Sequence, residues 1–514
     1  MDHTLFQNGV SPSRRDGETP FWKYFLRVLR VVLVAAAVAH LAAFLFVAAA
    51  RLAYPYELEW LEGGLADEVL AILRGQAAYA QPSLRLVAFI YPPLYFYVSA
   101  AVAAVIGPGF LPLRLVSLAA ALAGLVLIYA LVRQGGGGRA AGLVAAGLFA
   151  ATFKIGGAWL VLARVDALYV ALLLAGVYVL ARARRGRAFA LAGGLLALSF
   201  LTKQSALLVT APLAVYAIYA DRRRGWLLAA SFALVALAAS AVFNWASQGW
   251  YGYYVFVAAW SQPPAAHNWL TTWQGSRLLL LAPALSAGLV FIASESWARP
   301  APSPPALFWL ALAAGTAGTS YWVLLRQGAT ENNLLPALAA AALLAGLALD
   351  RALKLAAARP AGQRAALLAV IGGVYLWQFA QLAYNPLNHL PNDTNRAAAQ
   401  ALAQRVAGFS GEAWLPQHGA FARRRDDRAA AHLAAIEDVL DAGGQPAGEL
   451  RDEVLAALRA RRFAAIVVDG PDFTRDFPEL EQNYVVAESL PLDGAFYSIS
   501  GPRKLPEVVY VPRP

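Results

Sequence analysis

Long apolar runs, many of about 18–22 residues and separated by short polar turns, dominate this chain and decide what it can fold into. In hydrocarbon every backbone N–H and C=O must find its partner inside the protein, which leaves helices or closed barrels. The runs lack the alternating pattern of barrel strands. Apolar residues make up 59% of the 514 and charged residues 14%, well under the roughly 25% of ordinary globular chains. The fold class that follows is an α-helical polytopic membrane protein, about 11–12 transmembrane helices, with a small C-terminal α/β domain.

Charge gives the organisation. From Asn385 to the C-terminus there are 14 Lys and Arg against 18 Asp and Glu, while the first 384 residues carry 28 against 13. The excess of +11 therefore belongs to the membrane part, and nucleic-acid binding is not implied. Arg182–Arg187, Arg222–Arg224 and Arg351–Arg364 mark one side of the membrane as cytoplasmic. Arg14, Arg15, Lys23, Arg27 and Arg30 precede Val31–Ala50, which is too long for a cleaved signal and reads as a first span with the N-terminus inside. The expected division is residues 1–27 as a cytoplasmic tail and 28–384 as a transmembrane domain carrying a large outer loop, 51–93. Residues 385–514 form a small soluble domain on the outer (periplasmic) face of the inner (plasma) membrane. Counting Tyr91–Ile106, Arg114–Val132, Ala140–Ala151 and Trp159–Leu180 each as a full span brings the chain's total to twelve, whereas the Arg clusters ask for eleven, so one run in residues 91–166 is expected to be short, broken or re-entrant. In the C-terminal part, helix-like Arg396–Val406, Ala429–Ala442 and Glu449–Arg461 alternate with strand-like Ala464–Asp469, Tyr484–Ser489 and Phe496–Ser500.

Several chemistries drop out. There is no cysteine, which removes disulfides, thiolate nucleophiles and Cys-ligated metals, and six scattered histidines show no ligand spacing. The run Gly135–Gly138 lacks the Lys-Ser/Thr of a phosphate loop and reads as a turn. Ile466-Val467-Val468 ending at Asp469-Gly470 has no glycine-rich phosphate turn beside it.

The outer loop is the chemically unusual stretch. It places Glu57, Glu59 and Glu62 within six residues, followed by Asp67 and Glu68, beside Tyr54, Tyr56 and Trp60. Carboxylates held this close to lipid are costly and point to function, although a solvated loop carries the same residues. Leu65–Leu73 reads as a short amphipathic interface helix with Asp67, Glu68 and Arg74 towards water. Downstream come Arg74-Gly75-Gln76, Tyr91-Pro92-Pro93-Leu94, Pro112-Leu113-Arg114-Leu115, Ala163-Arg164-Val165-Asp166, Leu201-Thr202-Lys203 and Asn333-Leu334-Leu335-Pro336. In this order the landmarks resemble the GT-C superfamily of membrane glycosyltransferases, in particular the branch of protein O-mannosyltransferases and the lipid A aminoarabinose transferase. The resemblance covers roughly residues 25–350.

That resemblance implies a polyprenyl-phosphate sugar donor, an envelope lipid, glycan or protein as acceptor, and a catalytic acid in the first outer loop. The branch usually has an Asp-Glu pair about fifteen residues before a glycine. Counting back from Gly75 the position falls at Glu59, with Glu62 three residues on, but Glu59 is followed by Trp60 and no pair is present. The branch's basic residue before Pro-Pro is also missing, with Tyr91 in its place. Residue chemistry alone asks for the same parts: a base for the acceptor hydroxyl, cations for the leaving phosphate, and exclusion of water. Glu59 and Glu62 are the candidate bases. Glu57, Trp60, Tyr91, Arg164, Asp166, Lys203 and Arg326 are the candidate substrate-binding residues. Arg164 with Asp166 reads equally as a structural ion pair, and Lys203 as a snorkelling lysine. No cofactor is firmly expected, though loop carboxylates can hold Mg²⁺ or Mn²⁺. A transporter or flippase predicts internal repeats and mid-span charges, neither of which is found; a non-catalytic scaffold is the third reading.

Overall fold

A computed structural model describes residues 20–265, 276–297, 304–426, 431–470, 472–490 and 495–514. The expected N-terminal tail up to residue 19, and Trp269 and Trp273 of the aromatic loop, lie outside the described residues.

The apolar runs are helices: α1 (Pro20–Leu52), α2 (Glu62–Leu73), α3 (Leu94–Ile106), α4 (Phe110–Gln134), α5 (Arg139–Ala151), α6 (Asp166–Ala181), α7 (Gly186–Phe200), α8 (Ala206–Ala220) and α9 (Arg222–Ala246). Further helices span Ser276–Trp297, Pro304–Leu324, Leu335–Ala357 and Ala361–Gln381. By length and composition, five helical stretches among the described residues can cross a membrane, and a sixth if the bent pair Ala361–Gln381 and Pro386–Ala407 is one span. Six more apolar helices are shorter. The shortening is wider than expected. Between residues 91 and 166 both α3 and α5 have 13 residues, a rise of about 20 Å against a hydrocarbon core of about 30 Å. The expected run Trp159–Leu180 becomes helical only at Asp166; before it the chain turns through Gly157 and Ala158, both at positive φ. These truncated ends leave irregular backbone at one end of the bundle, where the loop residues gather.

The core is continuous from α1 through α4, α5, α6 and helix Leu335–Ala357. Small residues let the helices approach: a Cβ on Gly147 of α5 would lie 2.4 Å from the Cβ of Ala37 on α1. Between Trp250 and Ser261 the chain stays helical, with a π-helical stretch at Tyr253–Ala258 that packs Tyr251 and Tyr254 against Tyr79.

From Asp393 the α/β domain begins with a helix to Ala407 whose first turn is closed by a reciprocal cap between Asn392 and Asn395. Its four strands, β1 (Ala413–Trp414), β2 (Ala465–Val468), β3 (Tyr484–Ser489) and β4 (Val508–Pro512), form one sheet in the order β1-β2-β4-β3. β1 and β2 are parallel, and β4 runs antiparallel to both β2 and β3, with a bulge between Val486 and Glu488. Two strand expectations change. Phe496–Ser500 is not a strand, because the Ser498 hydroxyl ties the chain into a turn, donating to the Pro502 carbonyl and accepting from Lys504 N. The fourth strand is Val508–Pro512, whose β-branched run is short and bracketed by prolines.

α2 is also not the expected solvated interface helix. Asp67 and Glu68 are buried: Asp67 pairs with Arg423 of the C-terminal domain, and Glu68 accepts from Phe89 N. The acids that were to face water instead fasten the loop to its neighbours.

Candidate active site

The segment between α1 and α2 is held in place by Arg114 near the start of α4. Its guanidinium donates to the carbonyls of Arg51, Tyr54 and Tyr56 and, at 3.0 and 2.6 Å, to both carboxylate oxygens of Glu62. Glu62 also accepts from Leu58 N at 2.7 Å and Ala163 N at 2.6 Å. Arg114 and Glu62 are both 0% exposed. Every hydrogen-bonding direction of Glu62 is occupied, so its chemistry here is that of a strut.

Glu59 is placed differently. Its Oε2 accepts from Arg164 Nη1 at 2.9 Å and from Leu61 N at 3.2 Å, while its buried Oε1 has no partner. The Arg164 guanidinium lies 4.8 Å from the Trp159 ring and donates to the Tyr91 hydroxyl at 3.0 Å. Burial pushes the Glu59 carboxyl up to about 7, against the opposing pull of Arg164. The group is thus poised to gain or lose a proton near neutrality rather than being fully ionised.

Glu59 and Arg164 line a cavity of about 670 Å³ between the end of the bundle and the C-terminal domain. Trp60, Tyr91, Lys203 and Arg326 line it as well. Lys203 follows α7, and its Nζ donates to Asp166 at 2.7 Å and to Asn333 at 2.9 Å. Asp166 in turn accepts from Asn332 at 3.0 Å. Arg326 donates to the Gln262 carbonyl at 2.9 Å and stacks on Trp322. Arg164, Lys203 and Arg326, from separate stretches of chain, thus line one cavity together with the Glu59 carboxylate. The domain side of the same cavity carries Glu437, Asp438 and Asp441, together with Asp472, Arg475 and Lys504. Burial pushes Glu437 and Asp438 up to about 7.

Of the residues expected from sequence, Glu59, Trp60, Tyr91, Arg164, Lys203 and Arg326 come together at this cavity, and Asp166 stands behind Lys203. Two do not line it. Glu62 is the strut described above. Glu57 reaches into the C-terminal domain, where its Oε2 lies 2.6 Å from Nδ1 of His418, whose Nε2 lies 2.9 Å from Asp469. Burial opposes a charge on His418, but Asp469 and Glu57 together push its pKa up to about 10, so the imidazolium bridges two carboxylates. His432 is the opposite case: burial holds it down to about 3, and its neutral ring contacts the carbonyls of Trp60 and Gln417.

Residues not singled out from sequence complete the site. Arg114 and Asn333 lay inside landmark motifs without being given roles, and Asn332 lay just outside one. Trp159 looked like the start of a span. Asp469 stood out only as a strand end, and His418 and Lys504 had no local signal at all. Among the described residues no group of three or more His, Asp or Glu side chains is arranged to hold a metal ion; the loop carboxylates are dispersed to separate partners.

The family described as dolichyl-phosphate-mannose-protein mannosyltransferase matches residues 91–247. That stretch contains Arg114, Arg164 and Lys203 but not the acidic loop. No curated protein sequence matches the chain. Solved structures align over nearly its whole length. ArnT from Cupriavidus metallidurans in the apo state is 13% identical, with 92% of this chain and 97% of that one covered and a TM-score of 0.57. The same protein bound to undecaprenyl phosphate is 13% identical, with coverage of 96% and 98% and a TM-score of 0.56. The archaeal oligosaccharyltransferase AglB from Archaeoglobus fulgidus, in complex with an inhibitory peptide and a dolichol-phosphate, is 13% identical, with coverage of 93% and 74% and a TM-score of 0.54.

Proposed function

We propose that this chain, which has the fold of the GT-C membrane glycosyltransferases, transfers a sugar from a polyprenyl-phosphate carrier to a hydroxyl of an envelope lipid, glycan or protein. The observation that carries the reading is that Glu59, with one buried oxygen left unbonded, shares a cavity with Arg164, Lys203 and Arg326. The neighbours found with undecaprenyl phosphate and with a dolichol-phosphate support a lipid phosphate as the donor's carrier.

In this mechanism Glu59 takes the proton of the acceptor hydroxyl as its oxygen attacks the anomeric carbon from the face opposite the phosphate. The anomeric C–O bond breaks, its electron pair leaves with the polyprenyl phosphate, and the anomeric configuration inverts. Lys203, Arg164 and Arg326 stabilise the leaving phosphate, whose negative charge builds as the bond breaks. Asp166 and Asn333 fix Lys203 so that its charge need not reorganise during the reaction. A base with a pKa near 7 combines a useful ionised fraction with real proton affinity. Trp60 and Tyr91 offer the flat walls that sugar rings pack against.

In the same reading the protein lies in the inner membrane with its N-terminus in the cytoplasm and residues 385–514 outside, because Arg182–Arg187, Arg222–Arg224 and Arg351–Arg364 mark the cytoplasmic side. Mass spectrometry of envelope lipids and glycans, with wild type and with Glu59→Gln, tests the reaction. Loss of one glycosylated species, with undecaprenyl phosphate still retained by the purified variant, is the expected result. An unchanged profile in Glu59→Gln overturns it. Topology is checked by Ser410→Cys, since the chain has no native cysteine and Ser410 is exposed. Labelling by an impermeant thiol reagent should occur without disrupting the inner membrane.

A further inference from the structure

We infer that the turn Ser498–Lys504 of the C-terminal domain is a wall of the catalytic cavity, and that Gly501 within it is a positioning residue for Glu59. This rests on the reading of Glu59 as the base. The backbone already joins the two segments: Ser500 N donates to the carbonyl of Leu58, the residue before Glu59, at 3.0 Å. Gly501 then passes over the carboxylate side chain at φ +69°, a conformation that side chains disfavour. A Cβ there would lie 3.2 Å from Glu59 Cγ and 3.1 Å from Trp159, the ring under Arg164. Any side chain at 501 must therefore lift the turn, tilt Trp159 or move Glu59.

The turn is built to hold that contact. Ser498 N donates to the Lys504 carbonyl at 3.0 Å, and the Ser498 hydroxyl closes the loop at 2.8 and 3.0 Å. Upstream, Phe496 packs edge-on against His418 and Phe421, so the turn leans on the imidazolium that holds Glu57. The acidic loop is thus gripped by the C-terminal domain on both sides of the base, at Glu57 and Leu58 before it and at the Trp60 carbonyl after it. Past the turn, Lys504 Nζ is 5.1 Å from the Trp60 ring and 2.8 Å from Asp472, and with Pro502 it lines the cavity. The domain is accordingly part of the catalytic apparatus and not an appended binding module.

A carboxyl shielded from water and one open to it differ in reactivity towards dicyclohexylcarbodiimide, which modifies protonated carboxyls in apolar surroundings. Labelling of Glu59, located by peptide mass spectrometry across pH 4–9, needs no sugar donor. The charged groups facing Glu59 are Arg164 and, from its own loop, Glu62, with the Tyr91 hydroxyl beyond Arg164. In wild type, labelling should fall with a midpoint near 7 as pH rises. Gly501→Val should move the midpoint towards the ordinary carboxylate value of about 4.3 and cut labelling at pH 7 by about 100-fold. Gly501→Asn tolerates the left-handed backbone yet keeps the Cβ, and should shift it in the same direction. Gly443→Ala, at φ +66° with nothing within 4 Å of its Cβ, strains the same domain without touching the site and should leave the midpoint in place. Wild-type behaviour in both Gly501 variants, or an equal shift in Gly443→Ala, overturns the inference. Sugar transfer by Gly501→Val should fall on the order of 10²-fold, the scale expected when a base is displaced by about 1 Å. A wild type that labels as described but transfers no sugar would count against the proposed reaction and leave the contact standing.

Discussion

Replacing Arg164 by Gln should disable Glu59 at neutral pH and restore it at high pH. In the folded chain the two side chains are 2.9 Å apart and almost fully buried. Burial raises the Glu59 pKa to about 7, and Arg164 is the largest influence opposing that rise. A charge-assisted hydrogen bond of this kind is worth about 1.5–3 kcal/mol, or ~1–2 pKa units at ~1.4 kcal/mol per unit. Without Arg164 the carboxyl should titrate at roughly 8–9, and the ionised fraction at pH 7 should drop from about half to ~1–10%. Transfer at pH 7 should therefore fall about 5–50-fold from this cause alone. Because the base form is recovered by raising the pH, much of that loss should return by about pH 9.5. Any deficit that persists there measures what Arg164 contributes to the phosphate. The assay is sugar transfer in membranes carrying their own lipid-linked donors, read from pH 5 to 10, with carbodiimide labelling of Glu59 in parallel. An acid limb in Arg164→Gln at or below the wild-type midpoint would refute the assignment of Arg164 as the residue that keeps the base ionised.

Three further outcomes follow from the same geometry. Lys203→Met removes a cation fixed by Asp166 and Asn333 and should weaken undecaprenyl phosphate binding by about 10- to 100-fold; native mass spectrometry giving wild-type affinity would remove Lys203 from the phosphate site. Arg114→Met leaves Glu62 buried without its partner, at a cost of about 3–5 kcal/mol, so the folded yield in detergent should collapse, while pairing it with Glu62→Met should recover part of it. His418 has a folded pKa of about 10, above its ordinary 6.5, so its stabilising contribution is fully present below about pH 6.5 and is lost as pH rises towards 10. Thermal unfolding should show wild type losing more stability than His418→Gln between pH 7 and 9.5, and parallel losses would show that the bridge is not charged.

What was legible in the sequence follows from the range of the physics involved. Helical spans are set by local hydropathy, and their positions were readable for nearly every element. Their lengths were not, because α3 and α5 stop where Gly107 and the Thr152–Val165 turns interrupt them, and these turns depend on packing rather than on composition. The acidic loop announced itself by charge density. Its division of labour did not: Glu57, Glu59 and Glu62 have the same side chain, spaced within six residues, and three different fates.

Those fates were fixed by partners 52, 105 and 361 positions away, namely Arg114, Arg164 and His418. Arg114 lies in a landmark motif and could have been assigned to a carboxylate from sequence; His418 could not, since no spacing rule connects a loop to a separate domain. The consequence is physical as well as interpretive. Glu62 satisfies the backbone and Arg114, while Glu57 and Glu59 each keep one bonded oxygen and one bare one, Glu57 against His418 and Glu59 against Arg164 at the cavity. Glu62 raises the Glu59 pKa even while paired with Arg114, against the larger lowering by Arg164. A glutamate that acts as a strut and does not line the cavity is therefore part of how the base is tuned.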